Sequence, residues 1–395
     1  MRNNGEVPSR HRLALLGAFR PGGPVTRQEL ARRTGLSLAT VSRLTRELVR
    51  RRVLVEVPLP PSPAGRPAQG LEVHPDRGSV LGISLLAPRA RVVALDLSGR
   101  AFHEIEVPMS WNLGVEGILE PLRRALDGVR RRRTGPPLAG VGAAVPGQWD
   151  RERGVSLQYP RIPEWKSVPL RRLLEEWTGV PASIMGYAPA LALAEYTQRS
   201  APGRRPGGGP DNLLAVEVAE NIALGVVANG RVLEGASGNA GELGHITINP
   251  EGPVCYCGSR GCLETLATCA AAVEAAEDLS RGVSSDGTRP ATFETLVHRA
   301  REGDAFAERL LARVARLLGV GLAAAVNLFN PEVLVLGGRF FEAGEIVLGP
   351  LRTALHEYAL PNSTRRLALE PSSLGPRAPA LGAGFAAIVA AVRRL

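Results

Sequence analysis

Apolar positions near the start of the chain recur at helical spacing and are cut by turn residues. Leu13, Leu16 and Phe19 stand at i, i+3 and i+6 before Pro21-Gly22-Gly23-Pro24, which predicts a first helix over residues 10–19 that the prolines stop. Thr26-Arg27-Gln28-Glu29 has the form of a capping box, in which hydroxyl and carboxylate each take a free backbone N–H, opening a second helix to about Thr34. Gly35 supplies a turn, Ser37 the next cap, and a third helix runs to about Arg50. Val41, Leu44 and Leu48 share one face of that helix, leaving Ala39, Thr40, Ser42, Arg43 and Arg46 directed elsewhere. Val53–Val57 and Gly70–Val73 alternate as two short strands with a Pro-rich wing between them. Helix, short Gly turn, helix is the helix-turn-helix pattern, whose second helix enters the major groove. Ser37, Ala39, Thr40 and Arg43, with Ser42 beside them, are expected to face base edges. Arg27 and Arg46 are expected on phosphates, and Arg66 of Gly65-Arg66-Pro67 in a minor groove.

From Val80 onward short apolar runs alternate with helical stretches, an α/β signal. Val80–Leu86, a turn, Arg91–Leu97 and Ser98-Gly99-Arg100 are echoed by Asn212–Val218, a turn, Ile222–Ala228 and Asn229-Gly230-Arg231. Two copies of one α/β unit with a cleft between them are expected. The boundaries are drawn at 1–75 for a DNA-binding head, 76–197 for the first half, 198–211 for a flexible Gly/Pro/Arg loop and 212–395 for the second half.

The chain has 395 residues and is 44% hydrophobic, enough for two or three domains with a large core. No uninterrupted apolar run reaches the roughly 18–20 residues of a membrane span. Met1–Glu6 lacks the apolar segment of a signal peptide. A cytoplasmic protein without a membrane partner is therefore expected. Charge sharpens this picture: residues 1–70 carry thirteen arginines against four carboxylates, within a net charge of +10 for the whole chain. A basic head joined to a nearly neutral body is the footprint of double-stranded DNA binding.

Three of the four cysteines fall in Cys255-Tyr256-Cys257-Gly258-Ser259-Arg260-Gly261-Cys262, and His245 lies ten residues upstream. In a reducing compartment, clustered thiols with a histidine favour a metal over disulfides. Three thiolates and one imidazole suit tetrahedral Zn²⁺, and four protein ligands leave no position for substrate water, so the metal is expected to be structural. The fourth cysteine, Cys269, sits in the Ala-rich stretch 267–276 and reads as a small buried hydrophobe.

Gly235-Ala-Ser-Gly-Asn-Ala-Gly-Glu-Leu-Gly-His245 and Cys255–Glu264 resemble the signature of the ROK family (repressor, open reading frame, kinase). Val145-Pro146-Gly147, Asn330-Pro331-Glu332 and Gly337-Gly338 are similar to further family motifs, and the head with its Gly65-Arg66-Pro67 is similar to the repressor branch. The resemblance implies an α/β fold: a duplicated actin-like, sugar-kinase-type (ribonuclease H-like) domain behind a winged helix-turn-helix, assembled as a homodimer or homotetramer.

A kinase of this family needs two glycine-rich phosphate turns and an aspartate base, and the chain departs at all three. The family's Asp-Gly-Gly-Thr is here Ser84-Leu85-Leu86-Ala87-Pro88, its Gly-Thr-Gly-Ile-Gly is Ala219-Glu220-Asn221-Ile222-Ala223, and its Asn-Asp pair is Gly186-Tyr187. Backbone N–H groups then cannot cradle ATP, Glu220 repels phosphate, and nothing takes the sugar proton. Neither ATP binding nor phosphoryl transfer is expected. The sugar contacts implied for the other side of the cleft are kept as Glu242, His245 and Glu264, with Asn239 beside them, while Tyr187 adds bulk opposite. A sugar, another metabolite or no small effector stay open.

The expectation is a zinc-containing, DNA-binding repressor with a catalytically inactive effector and dimerisation domain. A sugar kinase with an appended DNA-binding head and a regulator controlled by a protein partner are the alternatives.

Overall fold

A computed structural model describes the chain apart from residues 1–5, 20, 22, 60–68, 87, 110–113, 133–134, 160–161, 163, 201–208 and 281–291. Arg66, its wing and most of the 198–211 loop thus lie outside the described residues. The fold divides into two compact units, 1–209 with 377–395, and 210–376.

The first unit opens with three helices, α1 (Glu6–Gly17), α2 (Arg27–Thr34) and α3 (Leu38–Arg50), and an antiparallel strand pair, β1 (Leu54–Pro58) and β2 (Gln69–Val73). Leu15, Leu16 and Phe19 bury, whereas Leu13 is exposed. Leu16 and Phe19 thus bury as the i, i+3, i+6 reading expects, and Leu15 rather than Leu13 completes their face. Thr26 caps α2 through the Glu29 N–H at 3.1 Å, and Gly35 takes the left-handed conformation that ends it (φ 70°). The carboxylate half of the expected capping box is not made: Glu29 instead accepts from Arg32 and Arg33, which hold its carboxyl below the usual range.

β3 (Ser79–Leu86), β4 (Arg89–Asp96) and β5 (Ala101–Pro108) follow, then α4 (Glu116–Arg132), β6 (Leu138–Val145), a small antiparallel sheet of β7 (Gln148–Asp150), β8 (Val155–Gln158) and β9 (Lys166–Val168), α5 (Leu170–Thr178), β10 (Ala182–Gly186) and α6 (Tyr187–Arg199). The main sheet runs β10-β6-β3-β4-β5, with β3, β4 and β5 antiparallel and β6 and β10 parallel to β3.

The second unit repeats this plan. β11 (Leu213–Val218), β12 (Ile222–Ala228) and β13 (Arg231–Val232) are antiparallel, and three helices follow, α7 (Cys269–Ser280), α8 (Phe293–Arg301) and α9 (Ala305–Phe329). β14 (Val333–Gly337), α10 (Glu345–Tyr358), α11 (Pro361–Thr364) and β15 (Ala368–Pro371) complete the order β13-β12-β11-β14-β15, with β14 and β15 parallel to β11. The third-second-first-fourth-fifth order in both sheets is the duplication that the repeated strand pairs predict.

The last helix, α12 (Ala378–Val392), departs from expectation. It belongs to the first unit and packs on β3, β6 and α6, so the 212–395 boundary is corrected at its C-terminal end. Small residues explain the site. Gly82 and Gly142 are neighbours in register on β3 and β6, and a Cβ at either would lie 2.0 Å from a carbonyl oxygen of α12, Ala380 or Ala383. Only glycines let the helix backbone sit so close to the sheet. Gly142→Ala should therefore force α12 off β6, costing about 1–3 kcal/mol. Thermal unfolding and protease sensitivity of the C-terminal segment would register it.

The same helix ends against the head. Arg12 donates to the Leu395 carbonyl oxygen at 2.5 Å, and Arg100 in the β4–β5 turn pairs at 3.0 Å with Glu72 on β2, whose carboxyl is raised by burial. Residues 305–329 and 375–392 have the length and hydropathy of membrane spans, although neither is an uninterrupted apolar run. Both are packed core helices: Leu310, Leu318 and Leu322 of α9 and Leu381, Phe385 and Ile388 of α12 are buried.

Candidate metal centre and nucleic-acid interface

The metal site is built on irregular backbone between β13 and α7. His245 ends a 3₁₀ turn, Leu243–His245, and Cys262 caps another, Leu263–Thr265. Isolated bridges pair Thr247 with Cys262 and Val254 with Arg260, folding the cysteine segment back on itself. Gly261 makes this fold-back work: its φ is 59°, and a Cβ would sit 1.5 Å from the Asn249 carbonyl oxygen. Ligand atoms of His245, Cys255, Cys257 and Cys262 all lie within 4.8 Å of one another. Cys255 Sγ stands 3.7 Å from His245 Nδ1, and Cys257 Sγ 3.7 Å from Cys262 Sγ. These are non-bonded separations close to the edge of a tetrahedron whose metal–sulfur bonds are about 2.3 Å. The donor set thus fits Zn²⁺. Burial pushes the Cys262 thiol up to about 12 and raises Cys255, whereas a hydrogen bond from the Ser259 backbone lowers Cys257. A bound cation would have to displace these protons, since thiolate is the ligand form.

Around the tetrad the polar residues have distinct jobs. His245 Nε2, the nitrogen turned away from the sulfurs, stands 3.2 Å from the Tyr256 hydroxyl and 3.8 Å from Glu242, with Tyr256 packed edge-on against the imidazole. Such outer partners fix the orientation of a ligating histidine. Glu264 is buried, and its two oxygens accept from Asn221 Nδ2 at 3.2 Å and the Ile222 N–H at 2.9 Å. Glu242 heads the 3₁₀ turn without a side-chain cap bond, so its carboxylate is not a helix cap. Half-exposed, it is raised by partial burial, with Glu264 adding repulsion and His245 opposing. Asn239 is exposed beside Ser237. In the first unit Tyr187 is buried at the start of α6, and a Cβ at Gly186 would meet Trp149. Cys269 is a buried core residue, raised to about 12 by burial.

Pairing of β3 with β4 continues through Leu86 and Arg89. In the β11–β12 turn the Ala219 N–H bonds the Asn221 carbonyl and Ala219 O accepts from Cys269 N. Glu220 does not stand there as an unpaired charge: it pairs with Arg339, which also reaches Glu294 at 3.2 Å. Sequence reasoning missed Arg339 because its partners are remote in the chain.

The head presents α3. Val41, Leu44 and Leu48 are buried on its inner face, and Arg43, Arg46 and Ala39 are exposed. Ser37 caps the helix by accepting the Thr40 N–H at 3.2 Å, and the two hydroxyls lie 2.9 Å apart. Arg46 donates to the Ser42 carbonyl, while Arg43 makes no side-chain hydrogen bond or ion pair among the described residues. The Arg27 guanidinium donates to Thr45 at 3.1 Å and pairs with Glu56 on β1, so it ties α2, α3 and β1 together. Leu38, not anticipated, is half exposed at the start of α3.

Comparisons with known proteins agree with this architecture. Residues 12–58 match the IclR helix-turn-helix domain and residues 80–390 the ROK family. The xylose repressor of Caldicellulosiruptor bescii is 29% identical over 94% of this chain and 94% of its own length. The glucokinase of Thermotoga maritima is 31% identical over 75% of this chain and 96% of its own. A crystal structure of a ROK family transcriptional regulator, a homologue of the Escherichia coli Mlc protein, superposes with a TM-score of 0.78 at 25% identity, covering 98% of this chain and 97% of that one. With a DNA-binding head, two α/β units of one topology and a Cys/His cluster, the chain belongs to the ROK family and to its DNA-binding repressors.

Proposed function

We propose that this repressor carries no kinase activity, that His245, Cys255, Cys257 and Cys262 hold a structural Zn²⁺, and that α3 reads an operator. The observation that carries this reading is a contrast within the 210–376 unit. The metal tetrad is complete, yet the turn that would cradle phosphate is occupied by the chain's own Glu220–Arg339–Glu294 ion pairs. A phosphoryl-transfer site needs backbone N–H groups and cations free for the nucleotide. Arg43 takes the base-reading role, Ser42 and Arg46 flank it, Ala39 lines the same face, and Ser37 and Thr40 shape the helix start. Arg66 serves the minor groove from the wing.

Regulation follows from a sugar-class effector at the exposed polar group of Asn239, Glu242 and His245, with Glu264 positioning the turn behind it. Two heads presented by a homodimer, or by a homotetramer, address two half-sites, and the protein acts where the chromosome is. The test is made on purified full-length protein with a selected operator. ATP with a hexose panel should give no turnover above background, and one or more sugars should weaken operator binding. Turnover would establish the kinase alternative. Insensitivity to every sugar would remove the effector assignment and favour a protein partner.

A further inference from the structure

Hydrogen-bonding groups are scarce where the recognition helix begins. The Ser37 hydroxyl accepts the Thr40 N–H and lies 2.9 Å from the Thr40 hydroxyl, so both are engaged within the cap. The side chains left exposed in the first turn are Leu38 and Ala39, both apolar. Leu38 is 48% exposed, although the helix has an inner face of Val41, Leu44 and Leu48 where an apolar side chain would bury. It stands one turn before Ser42, at the edge of the surface that carries Arg43 and Arg46. The N-terminal residues of such a helix are those nearest the base edges. In the major groove the one apolar mark is the C5-methyl group of thymine. The basic charge of the head brings DNA to this face.

We infer that Leu38 is a specificity-determining residue that reads a thymine methyl in each half-site, next to the base pair read by Arg43. This rests on the DNA-binding assignment of α3. Glutamine or asparagine at this position would instead seek adenine.

The experiment starts by selecting binding sites from a random duplex library with the full-length protein. Each thymine of the selected site is then replaced by deoxyuridine, which removes only the methyl group. One position per half-site should weaken wild-type binding roughly threefold to tenfold on this substitution. Leu38→Ala should bind the thymine and deoxyuridine duplexes equally, while Leu38→Met should restore part of the difference. Because Leu38 packs outside the core, the alanine variant should keep the wild-type melting temperature, which circular dichroism checks. No methyl-sensitive position, or an unchanged thymine-to-deoxyuridine ratio in Leu38→Ala, would overturn the inference. Failure to select any site would overturn the DNA-reading role of α3 and this inference with it. Selection of a site whose affinity depends on Arg43 but on no methyl would overturn the Leu38 role alone.

Discussion

Cys257→Ser should bind no zinc and should lose the cooperative unfolding transition of the 210–376 unit at the wild-type temperature. Wild-type protein should carry one zinc per chain by metal analysis. The size of the effect comes from what the metal organises. The ligands lie on 3₁₀ turns and isolated bridges and not on regular strands or helices, so little else fixes this backbone. The turn after Cys262 in turn holds Glu264, which anchors the start of β12 through the Ile222 N–H at 2.9 Å. Leu263 is also buried beside α9, where Gly321 leaves room for it. Releasing the metal thus unpins a sheet strand and a core leucine together. Loss of a structural metal belongs with the largest single-residue effects, about 4 kcal/mol or more, or roughly 8–16 °C in melting temperature for a unit of this size. Cys269→Ala is the control: it should keep one zinc per chain, since Cys269 lies in the hydrophobic core outside the tetrad. A Cys257→Ser protein with zinc retained and melting unchanged would remove the structural role.

The elements of the head were legible because local signals agree: caps at Thr26 and Ser37, a turn glycine at 35 and a three-residue apolar period all point to the same helices. The duplicated sheets were legible from two copies of strand, turn and strand, and the metal tetrad from spacing alone. What escaped depends on contacts far apart in sequence. Nothing near Arg27 announces that Glu56 will take its guanidinium, and Glu220 and Arg339 lie 119 positions apart. The placement of α12 escaped for a related reason. Its Ala/Gly-rich sequence is apolar nearly all round, so periodicity does not say which sheet it covers. Only the pairing of Gly82 with Gly142, set by strand register, opens the slot it fills. Burial of Leu15 in place of Leu13 is a smaller case: the two point to nearly opposite sides of the helix, but Leu13 is spaced i, i+3 from Leu16 and Leu15 i, i+4 from Phe19, so spacing alone does not choose between them.

Arg43→Ala should abolish operator-specific binding while leaving the fold and the oligomeric state intact. The side chain is exposed in the middle of α3 and makes no hydrogen bond to the rest of the head among the described residues, so its removal disturbs no packing. A bidentate arginine–guanine contact is worth about 1–3 kcal/mol of discrimination. Two heads on two half-sites count it twice, which brings the operator close to non-specific affinity. Titration at several salt concentrations separates this loss from a general loss of charge. Arg43→Ala should lower operator affinity far more than affinity for random duplex. Arg46→Ala should weaken both, with a shallower salt dependence, as expected for a phosphate contact. Arg27→Ala should behave differently from either. Its guanidinium bridges Thr45 and Glu56 inside the head, so the variant should lower the melting temperature and weaken binding only through a loosened helix-turn-helix. If Arg43→Ala footprints the operator as the wild type does, α3 is not positioned in the groove as assigned, and the base-reading face must be sought on another element of the head.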